Sequence, residues 1–323
     1  MEPAPRIDFC IPAIGAGARY LDFLIENLFQ TAADPDRIRV LVSYHTDADR
    51  AALEACESAA RIAAFVQVPP HSGIMFAASA NHSAAVNALA RQCTADILIL
   101  SDYDMAFLMP GWDRLIGDRL AAGVDLFGVC YPTMTTSQQF TRESALGWLN
   151  DVDLVKYQRL PNLSFLAMTR TVLDRYFPGR AITGFDRYLT DGNLPFRIIN
   201  TRALAIENQI PLGMVQWLDT GYEIPDVIAR HGLRHEALTY RNLADQHAFA
   251  AVEPFRSLDR NRQPEFFYCA DAAFLAHFKK GSQKAQNGMA DGLFDLFAAT
   301  VDSFLATRFA AARVAEATAS WDT

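Results

Sequence analysis

No Cys-x-x-Cys pair occurs in this chain, and its five cysteines, Cys10, Cys56, Cys93, Cys130 and Cys269, are odd in number and widely spaced. A thiolate zinc module and a disulfide scaffold are both argued against, which leaves reduced, mostly buried thiols as the expectation. There is no run of lysine or arginine either, and 29 basic against 37 acidic residues leave a formal net charge of -8. A nucleic-acid backbone demands a concentrated basic surface, so no nucleic-acid partner is expected. An acidic protein that handles phosphates usually recruits a cation. No apolar stretch reaches the length of a membrane span, and Met1 to Arg6 lack the basic and then apolar build of a signal peptide. From these absences a cytoplasmic location without an integral membrane segment is the expectation. Internal repeats and low-complexity linkers are missing as well.

What is present suffices for a sizeable core, since 51% of the 323 residues are hydrophobic, in one large domain or two intimately joined ones. Apolar, β-rich runs at Ile7 to Ile14, Ile38 to Tyr44, Ile62 to Val68 and Ile97 to Leu100 alternate with helical stretches. In the first of these stretches Leu21, Leu24, Ile25 and Leu28 share one face; the third, Ser83 to Arg91, is alanine-rich with Val86 and Leu89 inward. The expected fold is therefore α/β, a Rossmann-like, mostly parallel central sheet flanked by helices. A helix near Trp112 to Leu120 and a strand from Val124 to Tyr131 continue the pattern, after which residues 133–158 turn rich in Thr, Ser and Gln and read as pocket-shaping loop. Leu163 to Met168 reads as a return to the sheet, followed by a short helix ending at Phe177-Pro178-Gly179. Another helix is expected from Ile224 to His231, with Pro225 in its first turn and Gly232 past its end.

The tail adds a helical C-terminal extension, because Leu293, Leu296, Phe297, Val301, Phe304, Leu305 and Phe309 recur at spacings of three and four. Covering the core is the first expectation for that apolar face, and a homo-oligomer contact or docking on a membrane surface the second.

The chemistry concentrates at Asp102-Tyr103-Asp104, which follows the buried-looking run Ile97 to Ser101. In open α/β sheets ligands sit beyond the carboxyl ends of the strands, where this run delivers two carboxylates. If the chain stays extended there, side chains at i and i+2 point the same way and converge on one hard cation. An Asp-x-Asp triplet by itself also occurs on solvated turns; its place after a buried strand is what gives it weight.

The arrangement resembles glycosyltransferases of the GT-A fold, in particular the family-two-like group of bacterial nucleotide-diphospho-sugar transferases. Phe9 to Ala13 is similar to the first strand and Pro turn along the nucleotide, Ser79 to Leu89 to the helix before the metal-binding strand, and Gly111-Trp112-Asp113 to the helix after it. The resemblance implies transfer of a hexose from a UDP- or GDP-sugar to a saccharide or other hydroxyl acceptor, with Mn2+ or Mg2+ as cofactor. Asp104 is implied as metal ligand, and Asp102 as metal or ribose contact. Donor contacts are implied for Pro12, Ala13, Gly15, Tyr44, Asn81, His82 and Tyr103. The second strand ends Ser43-Tyr44-His45-Thr46-Asp47 without the paired acids usual in the family, so Asp47 stands in as base contact. Residues 1–132 would then form the donor half, 133–250 the acceptor half of the same domain, and 251–323 the helical extension.

In an inverting reaction a carboxylate must take the acceptor proton. Trp217 to Glu223 resembles the family's acceptor-side segment with Asp219 as base, and an Asp in front of a helix serves equally as its cap. The family often adds a downstream histidine to the metal; of His231, His235 and His247, the last is favoured by its place after Glu236 to Tyr240. Trp217, Phe140, Trp148 and Tyr157 read either as sugar-stacking or as packing residues. Two rival readings remain: a sugar-nucleotide nucleotidyltransferase, from Gly15 to Arg19 but without the lysine that balances a triphosphate, and a non-catalytic sugar-nucleotide-binding protein of the same fold. A dinucleotide-binding dehydrogenase is disfavoured because Tyr20 stands where the last glycine of G-x-G-x-x-G belongs.

Overall fold

The structure is a computed structural model that describes residues 5–72, 77–130, 160–183, 224–258, 263–278 and 291–319. Ten strands of these residues form one sheet in the order β3-β2-β1-β4-β7-β6-β8-β9-β10-β5. The strands β1 (Ile7–Pro12), β2 (Ile38–Tyr44), β3 (Ile62–Gln67) and β4 (Ile97–Ser101) are parallel to one another. Beyond β4 the sheet is mixed. β7 (Pro161–Thr169) runs antiparallel between β4 and β6 (Leu126–Cys130), and β8 (His235–Arg241) lies parallel to β6. The remaining strands, β9 (Glu265–Cys269), β10 (Ala272–His277) and the three-residue β5 (Met105–Phe107), pair antiparallel. The fold class expected from the periodicity, α/β with a parallel core and a C-terminal helix, is the one observed.

Side chains alternate across the parallel strands and feed two cores. Ile7, Phe9, Ile11, Ile97 and Ile99 face one side, where helix α1 (Ala18–Thr31) packs through Leu21, Leu24 and Leu28. Cys10, Leu98 and Leu100 face the other, under α3 (Ala77–Gln92) with Val86 and Leu89. The short α2 (Asp47–Glu54) starts on a capping box between Thr46 and Asp49. Helix α4 (Trp112–Ala121) joins the first core by its Trp112, whose indole N–H donates to the Leu28 carbonyl at 3.0 Å. Helices α5 (Arg170–Tyr176) and α6 (Ile224–His231) lie on the second.

The edge strand β5 is not left open. Asn27 on α1 accepts from the Phe107 N–H at 2.6 Å and donates to its carbonyl at 3.1 Å, so a buried amide replaces a neighbouring strand. The last helix, α9 (Asp291–Ala319), follows the short α7 (His247–Ala250) and α8 (Glu253–Arg256). Phe294, Phe297, Val301 and Leu305 of α9 are buried against the chain's own core, and Leu293, Phe304 and Phe309 pack partly buried beside them. Among the described residues no helix is long and apolar enough to cross a membrane.

The topology fixes where a ligand belongs. From β1 the chain steps to β2 and β3 on one side and to β4 on the other, which makes the gap between the carboxyl ends of β1 and β4 the switch point of the parallel sheet.

Candidate functional site

Ser101 ends β4 at that switch point. The Asp102 N–H still donates to the Ser164 carbonyl at 2.9 Å, after which the chain turns through Tyr103 and Asp104 into β5. It does not stay extended, as the i, i+2 expectation required. Tyr103 is buried in the core beside Tyr20, with ring centroids 6.3 Å apart and planes within 7°. Asp102 and Asp104 nevertheless converge, because the turn itself brings the two carboxylates together with a third group.

That group is His277. The three-residue β5 pairs with β10 in a register that sets Met105 opposite His277, and the Phe278 N–H donates to the Asp104 carbonyl at 2.8 Å. His277 Nε2 lies 3.2 Å from Asp104 Oδ1, while its Nδ1 lies 3.1 Å from Glu265 Oε2 on β9. Burial alone would lower the imidazole's proton affinity; the adjacent carboxylates of Asp104 and Glu265 reverse this and push its pKa up to about 10. One ligand atom each from Asp102, Asp104 and His277 falls within 4.8 Å of the others, the single such group of three among the described residues.

On the other flank His82, on α3, places Nε2 3.3 Å from Asp102 Oδ1. Four of the remaining donor candidates, Pro12, Ala13, Gly15 and Tyr44, line the ends of β1 and β2. Pro12 and Ala13 are buried, and the Ala13 N–H donates to the Ser43 carbonyl at 3.2 Å. The Gly15 N–H is held by Asp49 at 2.7 Å. Tyr44 is buried with the Arg50 guanidinium 5.7 Å above its ring. Asp47 is exposed at the start of α2, and the acid that reaches the β1 turn is instead Asp49, two residues on, where the helix points it inward. Burial works to raise the Asp49 pKa, yet hydrogen bonds from Gly15 and Thr46 hold it below the usual value. The Asn81 amide is engaged with the backbone of His71, its oxygen accepting at 2.6 Å.

Of the three histidines considered from sequence, none joins the acids. His247 is exposed at the head of α7, His235 is exposed at the start of β8, and His231 lies tilted against Tyr176 with ring centroids 5.1 Å apart. His277 replaces His247 beside the acid pair because β10, not the segment after β8, is the strand that pairs with β5. The signal for it was a histidine closing the buried run Ala273 to Ala276, much as Asp102 follows β4. Asp219, Trp217, Phe140, Trp148 and Tyr157 lie outside the described residues.

Chemically, two carboxylates and one imidazole suit a hard or borderline divalent cation such as Mn2+ or Mg2+, which prefer oxygen and tolerate nitrogen. Asp104 is buried and needs a counter-charge, and the His277 imidazole 3.2 Å away is one group that supplies it.

No protein-family model and no curated protein matches the chain in sequence. Similar solved structures include the mannosyltransferase PcManGT from Pyrobaculum calidifontis in complex with GDP-Man and Mn2+, at 17% identity and a TM-score of 0.38 over 54% of this chain and 47% of that one. TarS 1-349 of S. aureus is 15% identical with a TM-score of 0.36, over 54% of this chain and 50% of its own. Glucosyl-3-phosphoglycerate synthase from Mycobacterium tuberculosis in complex with Mg2+ and uridine-diphosphate is 18% identical, with a TM-score of 0.34, over 52% and 58%. The chain thus spans about half the length of these structures.

Proposed function

We propose that this protein is a metal-dependent glycosyltransferase of the hexosyltransferase class, moving a sugar from a UDP- or GDP-sugar to a hydroxyl acceptor. The observation that carries the proposal is the meeting of Asp102, Asp104 and His277 at the switch point beyond β4. Asp104 and His277 are the ligands proposed for Mn2+ or Mg2+, with Asp102 as a third ligand or as the ribose contact. When bound, such an ion stabilises the negative charge that grows on a departing nucleoside diphosphate.

The chain's own residues have the remaining tasks. His82 holds the Asp102 carboxylate from the α3 side, and Pro12 to Gly15 with Tyr44 offer a wall at the ends of β1 and β2 along which a nucleotide would lie. Asn81 keeps the segment after β3 closed against α3 through His71. Asp219 is proposed as the base that takes the acceptor proton.

A thermal-shift screen of UDP- and GDP-sugars with and without Mn2+ tests the reading, because a ligand that binds only the native state raises its melting point. The expected result is Mn2+-dependent stabilisation by at least one donor, with slow release of nucleoside diphosphate that Asp104→Ala abolishes. Release of pyrophosphate from a sugar phosphate and a nucleoside triphosphate would assign a nucleotidyltransferase instead. Metal-dependent binding without any turnover would leave a binding protein.

A further inference from the structure

We infer that Glu265 is a positioning residue: it fixes the His277 imidazole so that Nε2 faces Asp104 and the cation site, an inference that rests on the metal-site reading above. The β9–β10 hairpin sets Glu265 directly opposite His277, and the two side chains meet at 3.1 Å between Oε2 and Nδ1. Both are largely enclosed, with side-chain exposures of 8% for Glu265 and 12% for His277. The ring has two polar atoms, and each has a carboxylate: Glu265 on Nδ1, Asp104 on Nε2. Turning the ring over would exchange a nitrogen for a carbon at both contacts, so Glu265 selects one of the two ring orientations.

The cost of placing Glu265 there is what gives the arrangement meaning. Its strand reads Glu265-Phe266-Phe267-Tyr268-Cys269, and all five residues are buried. A carboxylate in such surroundings carries a desolvation penalty that an apolar residue would avoid. A donor from Nδ1–H offsets that penalty and leaves Nε2 as the nitrogen available to a metal. Glu265 itself stands outside the group whose ligand atoms lie within 4.8 Å of one another, so it acts on the ligand and not on the ion. Carboxylates that accept from the distal nitrogen of a metal-bound histidine fix its tautomer and orientation, and their removal commonly costs about 10–100-fold in metal affinity.

Mn2+ titrations of the full chain by calorimetry, joined to pulsed electron paramagnetic resonance of the bound Mn2+, test this. For Glu265→Ala the expected outcome is a loss of about 10–100-fold in Mn2+ affinity with a weakened imidazole nitrogen coupling. Glu265→Gln, whose amide oxygen still accepts from Nδ1–H, should return most of both. Wild-type affinity and coupling in Glu265→Ala would overturn the role of Glu265, provided that His277→Ala loses them. If His277→Ala and Asp104→Ala also bind Mn2+ like the wild type, the metal site itself falls. Should Glu265→Ala fail to fold, Glu265→Asp withdraws the carboxylate while keeping its charge: weakened coupling supports the positioning role, and unchanged coupling overturns it.

Discussion

Gly17 and Tyr103 are separated by less than the size of a methyl group: a β-carbon on Gly17 would stand 2.4 Å from Cε2 and 2.7 Å from Cζ of the Tyr103 ring. Gly17 precedes α1, and Tyr103 lies between the two acids, so the β1–α1 turn and the acid turn are packed as one unit. The neighbouring Tyr20 ring limits how far Tyr103 can retreat. Gly17→Ala is therefore expected to destabilise the fold by about 1–3 kcal/mol through overpacking and to weaken Mn2+ binding as Asp102 and Asp104 shift with the ring. Combining it with Tyr103→Leu should recover part of the stability, which chemical denaturation of the four variants measures as a coupling. An unchanged melting point for Gly17→Ala would show that the two segments move independently.

The pair of histidines separates the geometry from the sequence expectation. His277→Ala removes a nitrogen 3.2 Å from Asp104 and should lower Mn2+ affinity by at least the roughly 10–100-fold known for outer-shell partners. His247→Ala alters an exposed residue at the head of α7 and should leave that affinity unchanged. Calorimetric titration of both variants decides, and the opposite ranking would return His247 to the site.

How much of this was legible beforehand depends on the range of the interaction. Strands β1 to β4 and the helices between them follow from runs such as Ile97 to Leu100 and from the Leu21, Leu24, Ile25, Leu28 face, because each buries apolar surface against its sequence neighbours. The acid pair was legible for the same reason, standing at the end of such a run. The β9–β10 hairpin was not, since its turn places Ala270 at φ 50 with no glycine or asparagine to announce a left-handed residue. β5 is only three residues long and is recognisable as a strand only once β10 is beside it. His277 and Glu265 arrive with that hairpin, and no local pattern connects them to Asp104. Which of Asp47 and Asp49 reaches the β1 turn depends on the capping geometry of α2, which no local pattern in the sequence displays.

Asp8 carries a pH prediction remote from the site. Its carboxylate is fully buried on β1, accepts from Arg39 at 2.7 and 2.8 Å, and accepts from the backbone N–H groups of Thr94 and Ala95 at 2.7 and 3.0 Å. Burial acts to raise its pKa, but the Arg39 and backbone hydrogen bonds outweigh burial and hold it below the ordinary 3.8. A depressed native value means that the stabilisation is fully present above the unfolded value of about 3.9 and is lost as pH falls through the native one. Asp8→Asn is accordingly expected to be less stable at neutral pH by about 2–3 kcal/mol and to show a shallower loss of stability below about pH 4. Denaturation at a series of pH values checks both; parallel acid profiles for the two proteins would contradict the assignment.

The C-terminal helix bears on the site although none of its described side chains is among the candidate ligands. Phe278 follows His277, and its ring lies 5.4 Å from Phe294 and 5.2 Å from Phe297 on α9, and 5.7 Å from Tyr20 on α1. Because the Phe278 N–H also donates to the Asp104 carbonyl, packing by α9 is transmitted to both His277 and Asp104. Phe297→Ala empties a fully buried position and should cost about 3–5 kcal/mol. If the helix buttresses the site, Mn2+ affinity must fall with it at temperatures where the variant is still folded, since the end of β10 loses its support. Leu296→Ala supplies the contrast: that side chain is 38% exposed on the same helix and should change stability by no more than about 0.5 kcal/mol and Mn2+ binding not at all. Loss of stability in Phe297→Ala with Mn2+ affinity intact would confine α9 to covering the core.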